Sequence, residues 1–149
     1  MTSSSTAPAA VVPTMPAQAS EDSPEGAAAF VKYYVDVFNY AAATGDVEEL
    51  TRLSSPDCSG CQSYIKLYKE TYAAGGYFRG GDWTIGDLEI EESTQDLRVF
   101  AHLDAAQGTQ SRSRESDPGV TAPEDAELIF LVARAGDTGR MNELSRSTE

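Results

Sequence analysis

The fold turns on the stretch Tyr72-Ala73-Ala74-Gly75-Gly76-Tyr77-Phe78-Arg79-Gly80-Gly81-Asp82-Trp83-Thr84-Ile85. Before Gly75-Gly76 the apolar residues recur with the 3.6-residue period of a helix. After it they alternate with the period of two that marks a strand. Working back toward the amino terminus, Cys61, Ile65, Tyr68 and Tyr72 share one helical face, with Tyr64 beside it. That predicts a helix from about Ser59 to Ala74, ended by the glycine pair. Further back, Phe30, Tyr34, Val37, Phe38 and Ala41 make a second helical stripe that opens near Pro24 and closes at Gly45. Between these two, Val47, Leu50 and Leu53 predict a short helix. Asp46 is placed to cap it, with Glu49 three residues on as in a capping box, and Ser55-Pro56-Asp57 breaks it.

Working forward, Trp83 and Ile85 alternate, then Leu88 and Ile90 alternate in shifted phase, so a bulge is expected at Gly86-Asp87. Leu97, Val99, Ala101 and Leu103 form the next strand, with Arg98, Phe100, His102 and Asp104 on its other face. Residues 106–124 read as a long polar connection in which Gln110–Arg114 could form a short edge strand. The run Leu128–Val132 reads as a central strand covered on both faces. Gly136-Asp137-Thr138-Gly139 is a turn, and Arg140–Ser145 returns as a last strand through Met141 and Leu144. Helices first and an antiparallel meander afterwards give an α+β class: three N-terminal helices packed on a bent antiparallel sheet of about four strands.

Residues 1–24 hold four of the seven prolines, many Ser, Thr and Ala, and no aromatic or basic side chain. Such a segment cannot bury enough apolar surface to offset its ordering entropy, and it reads as a disordered leader or tether. It lacks the positive and apolar regions of a signal peptide. The expected organisation is leader 1–24, one α+β domain over 25–146, and a tail at 147–149. Eleven Lys and Arg stand against twenty-four Asp and Glu, a formal charge of −13. That excludes nucleic-acid binding through a basic surface and argues against docking on anionic lipid by charge. No apolar run approaches the length of a membrane span.

The two cysteines stand in Asp57-Cys58-Ser59-Gly60-Cys61, a C-x-x-C at a helix start. Zinc would need further ligands, and with one histidine in the chain no second ligand pair is visible. Redox catalysis of the thioredoxin kind expects the motif after a strand in a βαβ unit, whereas here a helix precedes it. A structural disulfide and two free buried thiols remain as readings, the first requiring an oxidising compartment. No metal or cofactor is expected, and no catalytic residue is singled out.

The run Phe30-Val31-Lys32-Tyr33-Tyr34-Val35-Asp36-Val37-Phe38-Asn39-Tyr40-Ala41 carries a resemblance, followed by Thr44-Gly45-Asp46, the D-C-x-x-C motif and Gly75-Gly76. Together these resemble an actinobacterial family of uncharacterised, lipid-anchored envelope proteins. Their fold is similar to the nuclear-transport-factor-2-like (cystatin-like) cone. The resemblance covers roughly residues 25–146. It implies that cone, an extracytoplasmic domain, a Cys58–Cys61 disulfide and no established activity. It also implies a lipid anchor in the precursor. Neither a signal nor a lipid-acceptor cysteine stands in this chain, so membrane attachment would be only through an anchor absent from it.

Cones of this kind often hold a pocket between helices and sheet. Tyr34, Phe38, Tyr64, Tyr68, Tyr72, Trp83, Phe100 and His102 are the candidates to line it. Each also has a plainer reading, the aromatics as core and the histidine as a surface or packed strand residue. The acidic set Asp87, Glu89, Glu91 and Glu92 reads as a solvated strand face, with a weak divalent-cation patch as the alternative. Three functions follow. The first is a non-enzymatic protein-interaction or accessory module of the envelope, with an unknown protein partner. The second is a binding protein for a small apolar ligand, with its pocket between the third helix and the sheet. The third is an isomerase- or dehydratase-like enzyme using His102, which requires that histidine to face the pocket.

Overall fold

The structure, a computed structural model, describes residues 12–94, 96–133 and 141–146. Most of the leader (1–11), the expected turn at 136–139 and the tail at 147–149 lie outside the described residues. Helix α1 (Pro24–Thr44) starts where the Ser23 hydroxyl accepts the Gly26 N–H at 2.9 Å, with Pro24 at the first position. Proline is tolerated there because its missing N–H would have had no helical partner. The stripe Phe30, Tyr34, Val37, Phe38 and Ala41 is buried as the spacing predicts. Ala27, Val31, Tyr33 and Val35 are buried too, because α1 is covered on more than one side.

Part of that extra cover comes from the leader. Ala17–Ser20 form a 3-10 turn in which Ala19 is fully buried, and Met15 packs against the core. The close approach depends on Gly26: a Cβ there would lie 2.0 Å from the Glu21 carbonyl oxygen. Ordered packing therefore begins ahead of Pro24. Short apolar and small residues can dock on a helix without any periodic signal.

Helix α2 (Glu48–Leu53) has Val47, not Asp46, at its N-cap; Asp46, one residue earlier, accepts the Glu48 N–H through Oδ1 at 3.2 Å. The expected capping box does not form. Glu49 is taken elsewhere: its carboxylate accepts the Tyr33 hydroxyl at 2.7 Å and Arg52 Nε at 2.9 Å. Helix α3 (Ser59–Ala73) begins at the cysteine motif, with Cys58 as its cap.

The strands are β1 (Tyr77–Gly80), β2 (Trp83–Glu92), β3 (Asp96–Ala105), β4 (Gly108–Ser111), β5 (Gly119–Thr121), β6 (Glu124–Ala133) and β7 (Met141–Arg146). They form two antiparallel sheets where one was expected, a four-stranded sheet in the order β2-β3-β6-β7 and a three-stranded sheet in the order β1-β4-β5. The small sheet is built from the glycine turn after α3 and from the connection read as loop. Its β4 is central, paired with both β1 and β5, rather than an edge strand.

The register shift between Ile85 and Leu88 is the bulge expected at Gly86-Asp87. A second shift lies between Leu131 and Val132. It explains how Met141 and Leu144, three residues apart, are both buried: the extra residue restores the inward face. Leu97, Val99, Ala101, Leu103, Leu128, Phe130 and Val132 line the inner face of the large sheet and are buried beneath the helices. Helix α1 contacts β1, β2, β3 and β6, and α3 contacts β7 and β1. Among the described residues, the apolar run of β6 is covered on one side only. Its burial alternates, with Ile129 and Leu131 only half-buried on the outer face. An all-apolar run hides which face the helices take. No helix among the described residues is long and apolar enough to cross a membrane.

Candidate functional site

At the start of α3, Cys58 and Cys61 form a disulfide with Cα atoms 5.2 Å apart, and both are buried. Cys58 Sγ accepts the Cys61 N–H at 3.1 Å, so the bridge also caps the helix. Gly60 inside the motif is set by contact with β7, since a Cβ there would lie 2.1 Å from the Leu144 carbonyl oxygen. With both sulfurs paired and buried, the bridge pins the first turn of α3, and that turn packs on β7 at Gly60 and Leu144. Neither thiol is free for metal or redox chemistry while the bridge is closed.

Beside it the aromatic residues of α1 and α3 meet Trp83 on β2. Phe38 stacks on Trp83 with ring centroids 4.2 Å apart and meets Tyr64 and Tyr68 edge-on at 4.8 and 5.5 Å. Asn39 fixes the start of β2 by pairing with the Trp83 backbone: its Nδ2 donates to the carbonyl and its Oδ1 accepts the N–H, both at 2.9 Å. An open cavity of about 200 Å³ lies against this cluster, lined by Tyr64, Tyr68, Phe78 and Trp83, with Arg79 and Glu124 adding charge. A second space of about 180 Å³ touches Tyr64 and Trp83 from the side of Leu128 and Leu144.

Of the eight pocket candidates, Tyr64, Tyr68 and Trp83 come together here. Tyr34 and Phe38 are buried in the core, and Phe38 supports the cavity only through its stack on Trp83. Tyr72 closes the edge, donating to the Ala42 carbonyl at 2.7 Å and accepting the Phe78 N–H at 3.1 Å. Burial pushes the Tyr34 and Tyr68 hydroxyls well above the usual tyrosine range, and the Tyr33 hydroxyl up to about 12 with help from its bond to Glu49. None of them is a base near neutral pH. Phe78 was missed because four residues of glycine-flanked strand carry no alternation to read.

Phe100 and His102 are not in this pocket. Strand alternation sends them to the outer face, opposite Leu97, Val99, Ala101 and Leu103, which point inward. His102 is exposed, its Nδ1 2.6 Å from Glu127 Oε2, and that hydrogen bond raises its pKa above the usual histidine range. A histidine facing solvent across the sheet from the cavity cannot serve as a base within it. Next to it, Asp104 stands opposite Asp125, whose hydrogen bond and charge raise the Asp104 pKa. His102, Asp104 and Asp125 bring one donor atom each within 4.8 Å of one another. They could hold a cation only as an exposed surface set, with the imidazole already engaged by Glu127.

The rest of the outer face follows from register. Glu89 stands opposite Phe100, Phe100 opposite Ile129, Glu91 opposite Arg98, Arg98 opposite Leu131, and Leu131 opposite Glu143. The carboxylates are exposed, while Phe100, Ile129 and Leu131 are half-buried.

A model for a family of unknown function, DUF6318, matches residues 2–126. No curated protein matches the chain. Among solved structures, the intermembrane space region of the chloroplast protein ARC6 is similar at a TM-score of 0.55 and 15% identity, over 85% of this chain and 98% of that one. At that identity the likeness shows the fold alone.

Proposed function

Because the chain belongs to the DUF6318 family of unknown function, we propose from its own chemistry that it is an extracytoplasmic, non-enzymatic interaction module of the cell envelope. We extend the proposal to a nuclear-transport-factor-2-like cone, in an actinobacterial precursor whose lipid anchor precedes this domain. The carrying observation is the outer face of the large sheet: ten-residue strands present half-buried apolar side chains ringed by carboxylates, a surface suited to a partner rather than a reaction. The Cys58–Cys61 disulfide supports the location, since such bonds persist in oxidising compartments and are rare in the cytosol. The fold shared with a region from an intermembrane space is compatible with it. The test is acid quenching of intact cells followed by thiol alkylation of the denatured protein, with and without prior reduction. An envelope protein resists alkylation until reduced, and immediate alkylation of both cysteines would contradict the location.

A second reading rests on the aromatic cavity of about 200 Å³. In it the domain binds a small apolar ligand between α3 and the sheet. Trp83 is the single tryptophan, so its fluorescence reports on the cavity directly. A naphthalene-sized probe should quench it saturably, and Ala42→Leu should weaken the response by filling part of the space without adding a second fluorophore. A linear, non-saturating response would remove this reading.

A further inference from the structure

The outer face of β2-β3-β6-β7 carries two kinds of chemistry in a fixed arrangement. At its centre Phe100 and Ile129 are direct cross-strand partners, with Leu131 two residues along β6. All three are half-buried, and none belongs to the residues packed against the core. No helix among the described residues covers them. Around them stand exposed carboxylates from every strand of the sheet: Glu89 and Glu91 from β2, Asp104 from β3, Asp125 and Glu127 from β6, and Glu143 from β7. Among the described residues, the cations on this face are Arg98, opposite Glu91, and His102 when protonated.

This charge distribution selects the occupant. A second copy of the chain, with its formal charge of −13, would bring carboxylate against carboxylate across a two-fold interface. Anionic lipid is repelled for the same reason. A free inorganic cation would use the rim and leave the apolar centre idle. A protein segment that offers an apolar side chain flanked by Lys or Arg satisfies both parts, with the apolar contact supplying affinity and the charges supplying steering and register.

We propose that the outer face of the four-stranded sheet docks a cationic protein segment, with an apolar side chain seated on Phe100, Ile129 and Leu131 and its basic side chains meeting Glu89, Glu91, Glu127 and Glu143. The inference rests on the interaction-module reading and gives it a surface and a partner chemistry.

The test places a benzophenone photo-crosslinking amino acid in the full chain, in its own cells, at position 100 on this face or at position 66 on the exposed side of α3. Each is irradiated with and without the double charge reversal Glu89→Lys/Glu91→Lys, and adducts are sequenced. The expected result is an adduct at position 100 to a Lys- or Arg-rich segment, reduced about tenfold or more by the charge reversal, as a loss of about 1.4 kcal/mol would produce. An adduct at position 66 alone would overturn the surface while leaving an interaction module. An adduct at position 100 that is not basic, or that ignores the reversal, would overturn the partner chemistry. No adduct at either position would count against the module itself. Soluble, folded protein after Glu89→Lys/Glu91→Lys, checked by circular dichroism, separates lost docking from lost structure.

Discussion

The two faces of the large sheet share the same strands and almost nothing else. On β3 the inward residues Leu97, Val99, Ala101 and Leu103 are completely buried, while the residues between them are Arg98, Phe100, His102 and Asp104. On β6 the inward set is Leu128, Phe130 and Val132, and the outward set is Asp125, Glu127, Ile129 and Leu131. Because successive side chains point to opposite faces, one strand can specify a core and a surface independently. Stability should therefore reside in one set of alternating residues and recognition in the other.

The largest expected effect breaks the inner face. Phe130→Ala should cost about 3–5 kcal/mol, because a fully buried ring leaves a cavity. Phe100→Ala, one strand away on the outer face, should stay within about 0.5–1 kcal/mol. Urea denaturation of the pair checks this, and equal losses would mean that the outer face is core.

Next comes alkaline titration of the helix side. Tyr33 is held up to about 12, and Tyr34 and Tyr68 are raised by burial. Groups whose folded pKa is raised stabilise the protein below the unfolded value, near 10.0, and that contribution is lost as pH rises through the folded value. Stability should fall steeply above about pH 10, with buried tyrosines ionising, by absorbance at 295 nm, only as the fold is lost. Reversible ionisation of all seven tyrosines in the folded state would contradict their burial.

Cys58→Ser should cost about 1–2 kcal/mol. The closed loop is short, and serine can still accept the Cys61 N–H that caps α3. Complete unfolding would show that the bridge holds more of the core than its position suggests.

The smallest effect belongs to His102. Its pKa is raised by Glu127, so its pairing stabilises the fold below the ordinary histidine value and is lost as pH rises through the folded one. An exposed pair contributes little to stability. The same proton adds positive charge to the docking rim, so partner binding should weaken as the medium becomes acidic, and His102→Gln should flatten that dependence.

Much of this architecture could be read in the chain before its coordinates. The switch at Gly75-Gly76, the three helices, the bulge at Gly86-Asp87 and the alternation of residues 97–103 follow from spacing alone. The small sheet could not be read, because β1, β4 and β5 are three or four residues long and glycine-rich, too short for a period to show. The capping box failed because Tyr33, sixteen residues earlier, competes for Glu49, a tertiary contact that local pattern does not contain. The site was legible in part. Tyr64, Tyr68 and Trp83 border a cavity, which helical spacing alone does not distinguish from plain core, whereas Phe100 and His102 share a strand with core residues but face away from them. Ile129 and Leu131 of the outer apolar centre were hidden inside the run Leu128–Val132, where every residue is apolar and periodicity is silent about faces.

The most direct measurement compares wild type with Glu89→Lys/Glu91→Lys for both melting temperature and crosslinking from position 100. A division of labour between the faces predicts a melting temperature unchanged within about 2 °C together with loss of the adduct. A large drop in melting temperature, or an adduct that survives the reversal, would contradict it.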